Sequence, residues 1–134
     1  MKREIFGIPK SEAELREDLS WFLATVAECG DLEAMFGFAW GNYRYSGEWQ
    51  WESLAPSAIL SELAAYESVG DGRLGGDDLH LRVPSLGCER LYCHHADVHF
   101  TVDESSELFR LQQQRWRERG WDVREAAPAA PQST

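Results

Sequence analysis

Residues 79–83, LHLRV, and residues 98–102, VHFTV, decide the class of fold that this chain adopts. In each stretch every second residue is aliphatic or aromatic, and the two residues between these apolar ones are polar. That period of two is typical of a β-strand with one buried face and one solvated face. Residues 84–89 are predicted to be a turn. Residues 90–102 are predicted to be strand-like and to hold two strands, with Ala96 and Asp97 either forming a turn or continuing the strand.

Three segments around these strands have the spacing and the end signals of α-helices. In the first, Ser11 followed by Glu14 is a capping box, and apolar residues recur at helical spacing behind it. Pro56 suits the first turn of the second helix. Asp103 or Ser105 can cap the third helix, after which Trp121 is predicted to pack back on the helix and to open a short last strand at 121–124. The predicted helices are Ser11–Cys29, Ser57–Val69 and Glu104–Arg119.

Residues 35–54 form an aromatic-rich segment between the first two helices. Their alternation predicts strands, with Ser46 and Gly47 at a hairpin turn. So many rings cannot all face one small core, so we expect some to be exposed or covered by a partner, or else opposite faces to pack on different helices. The rings belong to Phe36, Phe38, Trp40, Tyr43, Tyr45, Trp49 and Trp51.

The order of these elements predicts the fold class. A chain of 134 residues is long enough for one domain with one core. We expect an α+β single-domain layer fold over residues 1–125, with three helices on one face of a mainly antiparallel sheet of four to six strands. Residues 126–134 (AAPAAPQST) have little to bury and are predicted to be a disordered tail.

The cysteines and the apolar runs indicate a cytoplasmic protein. The three cysteines are an odd number, which favours reduced thiols. The N-terminal residues are charged and lack the apolar core of a secretion signal. No apolar run is long enough to predict a membrane-spanning helix.

The charge of the chain predicts the sign of its partner. The formal net charge is −10 and the pI is near 4.8, which argues against binding to nucleic acid or to an anionic membrane. Residues 11–78 hold fourteen acidic and three basic residues, a net charge of −11, whereas the third helix carries four arginines. Such an acidic half favours association with a basic protein, although acidity that serves only solubility has the same composition.

We therefore expect a small protein-binding domain that neutralises or regulates a basic partner. A bacterial immunity protein or antitoxin is an example of this physical type, and the comparison rests on composition alone. An exposed Trp beside a Glu can hold the cation of an Arg or Lys. The expected partner-binding residues are Glu48, Trp49, Trp51, Glu52, Asp71, Asp77 and Asp78.

The string from Cys93 to His99 (CHHADVH) supports an alternative, a small metal- or ligand-binding module or an enzyme. On a continuous strand Cys93, His95, Asp97 and His99 share one face, and they are zinc-ligand types. Alternate residues of a strand lie roughly 7 Å apart, so only two neighbours reach one ion, with help from His80 on another strand. A turn at Ala96 is expected to remove even this geometry. The weak candidates are therefore His80, His95, Asp97 and His99, and neither a metal nor a cofactor is predicted.

Other catalytic and ligand motifs are excluded. Residues 71–82 resemble a calcium loop only faintly, because Arg73, Gly75 and Arg82 occupy ligand positions. The glycines of that loop lack the lysine of a phosphate loop, and no nucleophile motif is present. We accordingly expect no enzyme activity.

Overall fold

The computed structural model describes residues 1–37, 51–70 and 72–126. In that part of the chain a short 3-10 helix, Pro84–Leu86, joins two of the strands. The elements in chain order are β1 (Lys2–Ile8), α1 (Glu12–Thr25), β2 (Leu32–Gly37), β3 (Glu52–Leu54), α2 (Pro56–Ser68), β4 (Asp78–Val83), β5 (Cys88–Tyr92), β6 (Val98–Asp103), α3 (Glu107–Glu118) and β7 (Asp122–Glu125).

The described strands form one sheet in the order β3-β2-β4-β5-β6-β1-β7. Every neighbouring pair is antiparallel. The α+β class, with three helices packed on an antiparallel sheet, is thereby confirmed. The sheet has seven strands instead of four to six. The additional strand is β1, for which the sequence analysis predicted no element, and it lies between β6 and β7.

The register of the strands gives the sheet two different faces. Ala34, Leu81, Arg90, Phe100 and Ile5 are partners across five consecutive strands, and all five are buried. Most of the buried strand residues on this face share one core with residues of the three helices. Because successive side chains of a strand point to opposite faces, the intervening residues lie on the other side, called here the open face.

A buried polar network joins the helices to the core face of the sheet. The guanidinium of Arg90 on β5 donates to Asp18 on α1 and to Gln112 on α3, both at 2.5 Å. Asp18 also accepts hydrogen bonds from the Tyr92 hydroxyl and the Trp116 indole, each at 2.9 Å. Asp18 and Arg90 are 1% exposed. Asp18 therefore belongs to the core, not to the acidic surface in which the sequence analysis counted it.

Two of the predicted helices are shorter than expected. Helix α1 begins after Ser11, whose side chain accepts from the Glu14 amide as predicted, but it ends at Thr25 and continues as a turn. Helix α3 begins after Ser106, which accepts from the Leu108 amide, so neither predicted cap is used. The side chain of Asp103 instead accepts from the amide and hydroxyl of Ser105 and closes the turn that precedes the helix.

Three other predictions were tested at the strand ends. Cys88 and Glu89, predicted to lie in a turn, form the start of β5. The Ala96 alternative is resolved as a turn, because Ala96 adopts a left-handed backbone with φ of 62°. The predicted packing of Trp121 on Trp116 is confirmed by stacked rings with centroids 5.8 Å apart.

The aromatic segment is described only in part. Its two ends lie in strands, since residues 35–37 end β2 and residues 52–54 form β3. The two strands pair antiparallel, but through residues 32–34 of β2, which precede the predicted segment. The predicted turn at Ser46 and Gly47 lies outside the described residues. So does residue range 127–134 of the predicted tail.

Candidate functional site

The open face holds a trough of about 380 Å³. One row of register partners crosses this face from β2 to β1, and it contains Met35, His80, Leu91, His99 and Phe6. The first four of them line the trough. All five side chains are partly buried. Residues from five strands thus place a mixture of partly exposed apolar and imidazole groups on this face.

A second row beside the first is acidic. Glu33 on β2, Arg82 on β4 and Glu89 on β5 are successive partners, and the row continues through Thr101 to Glu4 on β1. It contains three carboxylates and one guanidinium. Arg82 donates to Glu89 at 3.0 Å, which leaves Glu33 and Glu4 without an arginine partner in the described part of the chain.

Trp51 borders the trough and already holds a cation from its own chain. The guanidinium carbon of Arg82 lies 3.6 Å from the centre of a Trp51 ring. The same indole meets His80 edge to face, with centroids 6.1 Å apart. The predicted contact between Trp51 and a partner's cation therefore has an internal competitor.

The two histidines of the trough have different surroundings. Burial lowers the pKa of His80, so its imidazole is neutral at physiological pH. The ring of His99 stacks on Phe6 at 5.2 Å. Its two nitrogens point to two carboxylates, with Nε2 3.3 Å from Asp97 and Nδ1 3.9 Å from Glu4. Leu91 separates the two histidines in the register.

The β5–β6 turn forms the end of the open face. Cys93 and Asp97 pair across it, because the Cys93 amide donates to the Asp97 carbonyl oxygen at 2.9 Å. The Ala96 amide donates back to the Cys93 carbonyl oxygen, also at 2.9 Å. His99 lies two residues beyond Asp97 and so projects to the same face.

Two overlapping groups of potential metal ligands result from this turn. Cys93, Asp97 and His99 place their ligand atoms within 4.8 Å of one another. The ligand atoms of Cys93, Asp78 and His94 also lie within 4.8 Å of one another and form the second group. In the second group the Asp78 carboxylate is already engaged, since it accepts from the His94 amide at 2.7 Å and lies 2.8 Å from His94 Nδ1.

The cysteines are free thiols of different exposure. Burial raises the pKa of Cys88 to about 11. Burial also raises the pKa of Cys93, and the neighbouring Asp97 carboxylate acts in the same direction. Neither group is a thiolate at neutral pH, so neither has the activated form of a catalytic nucleophile.

The predicted partner-binding residues do not form one patch in the described structure. Trp51 lies at the trough and Glu52 is exposed on the edge strand β3. Asp77 accepts from the Arg73 amide within the loop before β4, and Asp78 binds His94. The remaining three, Glu48, Trp49 and Asp71, lie outside the described residues.

The predicted metal candidates are brought together only in part. Asp97 and His99 are in contact, whereas His80 lies in the trough and His95 is exposed with its ring 4.0 Å from that of His94. The turn at Ala96 was expected to prevent the residues of this string from meeting at one ion. It instead brings Cys93 close to Asp97 and His99. The alternation pattern could not reveal this, because it treats 93–99 as a line of positions and not as a reversal.

Comparison with protein-family models, with curated proteins and with solved structures gave no match to this chain. The site is therefore interpreted from its own geometry. No helix in the described part of the chain is long and apolar enough to cross a membrane.

Proposed function

We propose that this chain is a protein-binding domain that engages a basic partner protein through the open face of its sheet. The observation that carries the proposal is the pair of adjacent rows on that face. One row offers apolar and imidazole groups, and the other offers three carboxylates against one arginine. An apolar anchor bordered by complementary charge is the usual composition of a protein interface.

The distribution of ion pairs supports this choice of face. On the helical side several acidic residues are neutralised within the chain. Glu17 lies against Arg115 and Arg119, and Arg16 binds both Glu12 and Glu67. Glu33 and Glu4 on the open face have no arginine partner among the described residues. These are the two carboxylates that the proposal assigns to a cation of the partner.

The overall charge supports a partner of opposite sign. A net charge of −10 steers a basic protein toward the chain and accelerates association at low ionic strength. A small acidic inhibitor of a basic enzyme, of the kind that bacterial immunity proteins and antitoxins exemplify, is the functional class that this combination favours. In this proposal the role is to cover a basic surface and not to carry out a reaction.

The experiment is a capture from a lysate of the source cells at low and high salt, followed by affinity measurements on the protein recovered. Glu33→Lys reverses a charge on the open face, and we expect it to weaken binding by about tenfold or more. Glu62→Lys makes the same change on α2 in the helical layer and serves as the matched control. Leu91→Thr replaces the side chain at the centre of the apolar row by a smaller and more polar one. It should weaken binding without changing the salt dependence of binding.

Two results would contradict the proposal. One is equal weakening by Glu33→Lys and Glu62→Lys, which would indicate charge attraction without a defined face. The other is tight binding that does not change with ionic strength. Far-UV circular dichroism and the thermal midpoint of each variant establish that the fold is retained.

A further inference from the structure

We propose that Cys93, Asp97 and His99 form a binding site for one divalent transition-metal ion, with zinc as the preferred ion. The site lies at the β5–β6 turn and shares His99 with the trough. Three ligand atoms of different chemistry, a sulfur, a carboxylate oxygen and an imidazole nitrogen, already lie within 4.8 Å of one another. Zinc is bound in proteins by these three ligand types.

The distances require only a small contraction. Zinc–sulfur and zinc–nitrogen bonds of about 2.3 and 2.1 Å place tetrahedral ligand atoms roughly 3.5 Å apart. Asp97 and His99 are already at this separation, with 3.3 Å between the carboxylate oxygen and Nε2. The Cys93 sulfur lies within 4.8 Å of both ligand atoms, so it has to move closer by about 1 Å at most.

An orphaned carboxylate oxygen is an independent observation at the same place. Asp97 Oδ1 is buried and has no hydrogen-bond partner among the residues that the structure describes. A buried carboxylate oxygen without a partner is costly, and such atoms usually have one. A cation held by both oxygens of this carboxylate, Oδ1 as well as the Oδ2 that lies 3.3 Å from His99, would supply it.

The charges of the ligands balance a divalent ion. When the metal binds, the Cys93 thiol releases its proton to solvent and the thiolate forms a bond to the metal. One thiolate, one carboxylate and one neutral imidazole then carry two negative charges. Glu4, 3.9 Å from His99 Nδ1, lies on the far side of the imidazole, where a carboxylate commonly orients a ligating histidine. The fourth position is left to water or to a group of the partner.

The overlapping group of Asp78, Cys93 and His94 is the competing arrangement, in which Cys93 Sγ already lies 3.7 Å from His94 Nδ1. Its carboxylate oxygen is already bound to the His94 backbone amide, and the His94 side chain is 52% exposed. An ion there would first have to break the existing contact with Asp78. Variants of His94 therefore distinguish the two arrangements.

The test is titration of the reduced, chelator-stripped protein with Zn²⁺ against a chromophoric competitor, and with Co²⁺ followed by absorption. We expect one equivalent to bind and Co²⁺ to give a sulfur-to-cobalt charge-transfer band. Cys93→Ser should remove that band. Cys93→Ser, Asp97→Asn and His99→Ala should each lower the Zn²⁺ affinity at least tenfold, because even the loss of a residue that only orients a ligand has an effect of that size.

Three controls make the outcome specific. Cys29→Ser removes a different thiol, His95→Ala removes the exposed neighbouring imidazole, and His94→Ala removes the competing group. All three should bind Zn²⁺ as the unmodified chain does. The thermal midpoint adds an independent readout, since a metal that binds only the folded state should raise it in the unmodified chain and much less in Cys93→Ser.

The proposal is overturned if the unmodified chain binds no Zn²⁺ or Co²⁺, or if Cys93→Ser leaves the Zn²⁺ affinity unchanged. It is also overturned if His94→Ala abolishes binding while His99→Ala does not. Circular dichroism of the metal-free variants shows whether each is folded. Asp97→Asn is the informative variant if Cys93→Ser unfolds, because it keeps the shape of the side chain and removes the charge.

Discussion

Asp18 is the residue on which the helix-to-sheet contact most depends. Its carboxylate accepts from Arg90, Tyr92 and Trp116, and so joins α1 to β5 and α3. Arg90 is also surrounded by aromatic rings, including that of Phe22 at 4.4 Å. A guanidinium in such a place is tolerated only with a compensating anion nearby.

Replacing Asp18 by Ala is expected to destabilise the protein by about 3–5 kcal/mol, because it leaves the Arg90 guanidinium buried without its anion. The free energy of unfolding, measured with urea, gives the result. The double variant Asp18→Leu with Arg90→Met should lose less than Asp18→Ala does, since both charges are then absent. A loss below 1 kcal/mol for Asp18→Ala would show that the charge of Arg90 is satisfied in another way.

At the scale of elements, β1 depends on a close approach to the end of α3. Gly7 on β1 faces the stacked pair of Trp116 and Trp121. A Cβ at this position would lie 2.8 Å from Trp116 and 2.9 Å from Trp121. Both contacts are shorter than side-chain packing allows, so only glycine leaves room for both indoles at this point of the strand.

Gly7→Ala is therefore expected to destabilise the protein by about 1–3 kcal/mol through overpacking. The measurement is urea unfolding of Gly7→Ala, of Trp121→Leu and of the double variant. The smaller side chain at position 121 makes room for the new methyl group. The double variant should therefore lose less free energy of unfolding than the sum of the losses of the two single variants. Strict additivity would show that the indole of Trp121 is not what excludes the methyl group.

At the scale of the whole molecule, long-range carboxylate contacts make stability depend on pH. The hydrogen bond from Arg16, followed by that of the Leu74 amide, lowers the pKa of Glu67. This contact joins α1, α2 and the loop before β4. A lowered carboxyl pKa gives stability that is complete above the unfolded-state value and is lost as the pH falls through the folded-state value. The lowered pKa of His80 acts in the same direction at higher pH, because the unfolded chain binds the proton more readily.

Glu67→Gln is expected to cost about 1.5 kcal/mol at pH 7, and the difference from the unmodified chain should shrink below about pH 4.5. His80→Gln should remove part of the stability change between about pH 7 and pH 5. Urea unfolding at a series of pH values gives both differences. At low pH the other carboxylates become protonated and repel one another less, in the variant and in the unmodified chain alike. This shared effect on stability cancels when each variant is compared with the unmodified chain. A Glu67→Gln difference that stays constant to pH 3 would refute the linkage.

The sequence contained the local signals of this fold but not its distant partners. Alternation located β4 and β6, and the Ser11–Glu14 pair located the start of α1. Strand β1 was missed because its sequence is short and charged and has no clear strand pattern. It forms a strand because it pairs with β6 on one side and β7 on the other. The buried Arg90 had no local signal either, since its anion is 72 positions away in the chain.

The candidate site was less predictable for the same reason. The residue types of the string from Cys93 to His99 pointed to metal chemistry, but the set that meets in space depends on one backbone conformation at Ala96. The trough depends on the register of five strands, and its rows become visible only when the strand order is known.

The place of β1 in the sheet has a consequence for synthesis. Lys2 is paired with Asp103, and Ile5 with Glu125, so β1 waits for two strands that are made 101 and 120 positions later. At about 5–20 residues per second, the ribosome needs roughly 5–25 seconds to supply those partners. Strands β2 to β6 can meet one another earlier, since none of them needs β1 or β7. The growing chain thus completes one part of its sheet while β1 is still unpaired, and β7 then pairs with the other edge of β1.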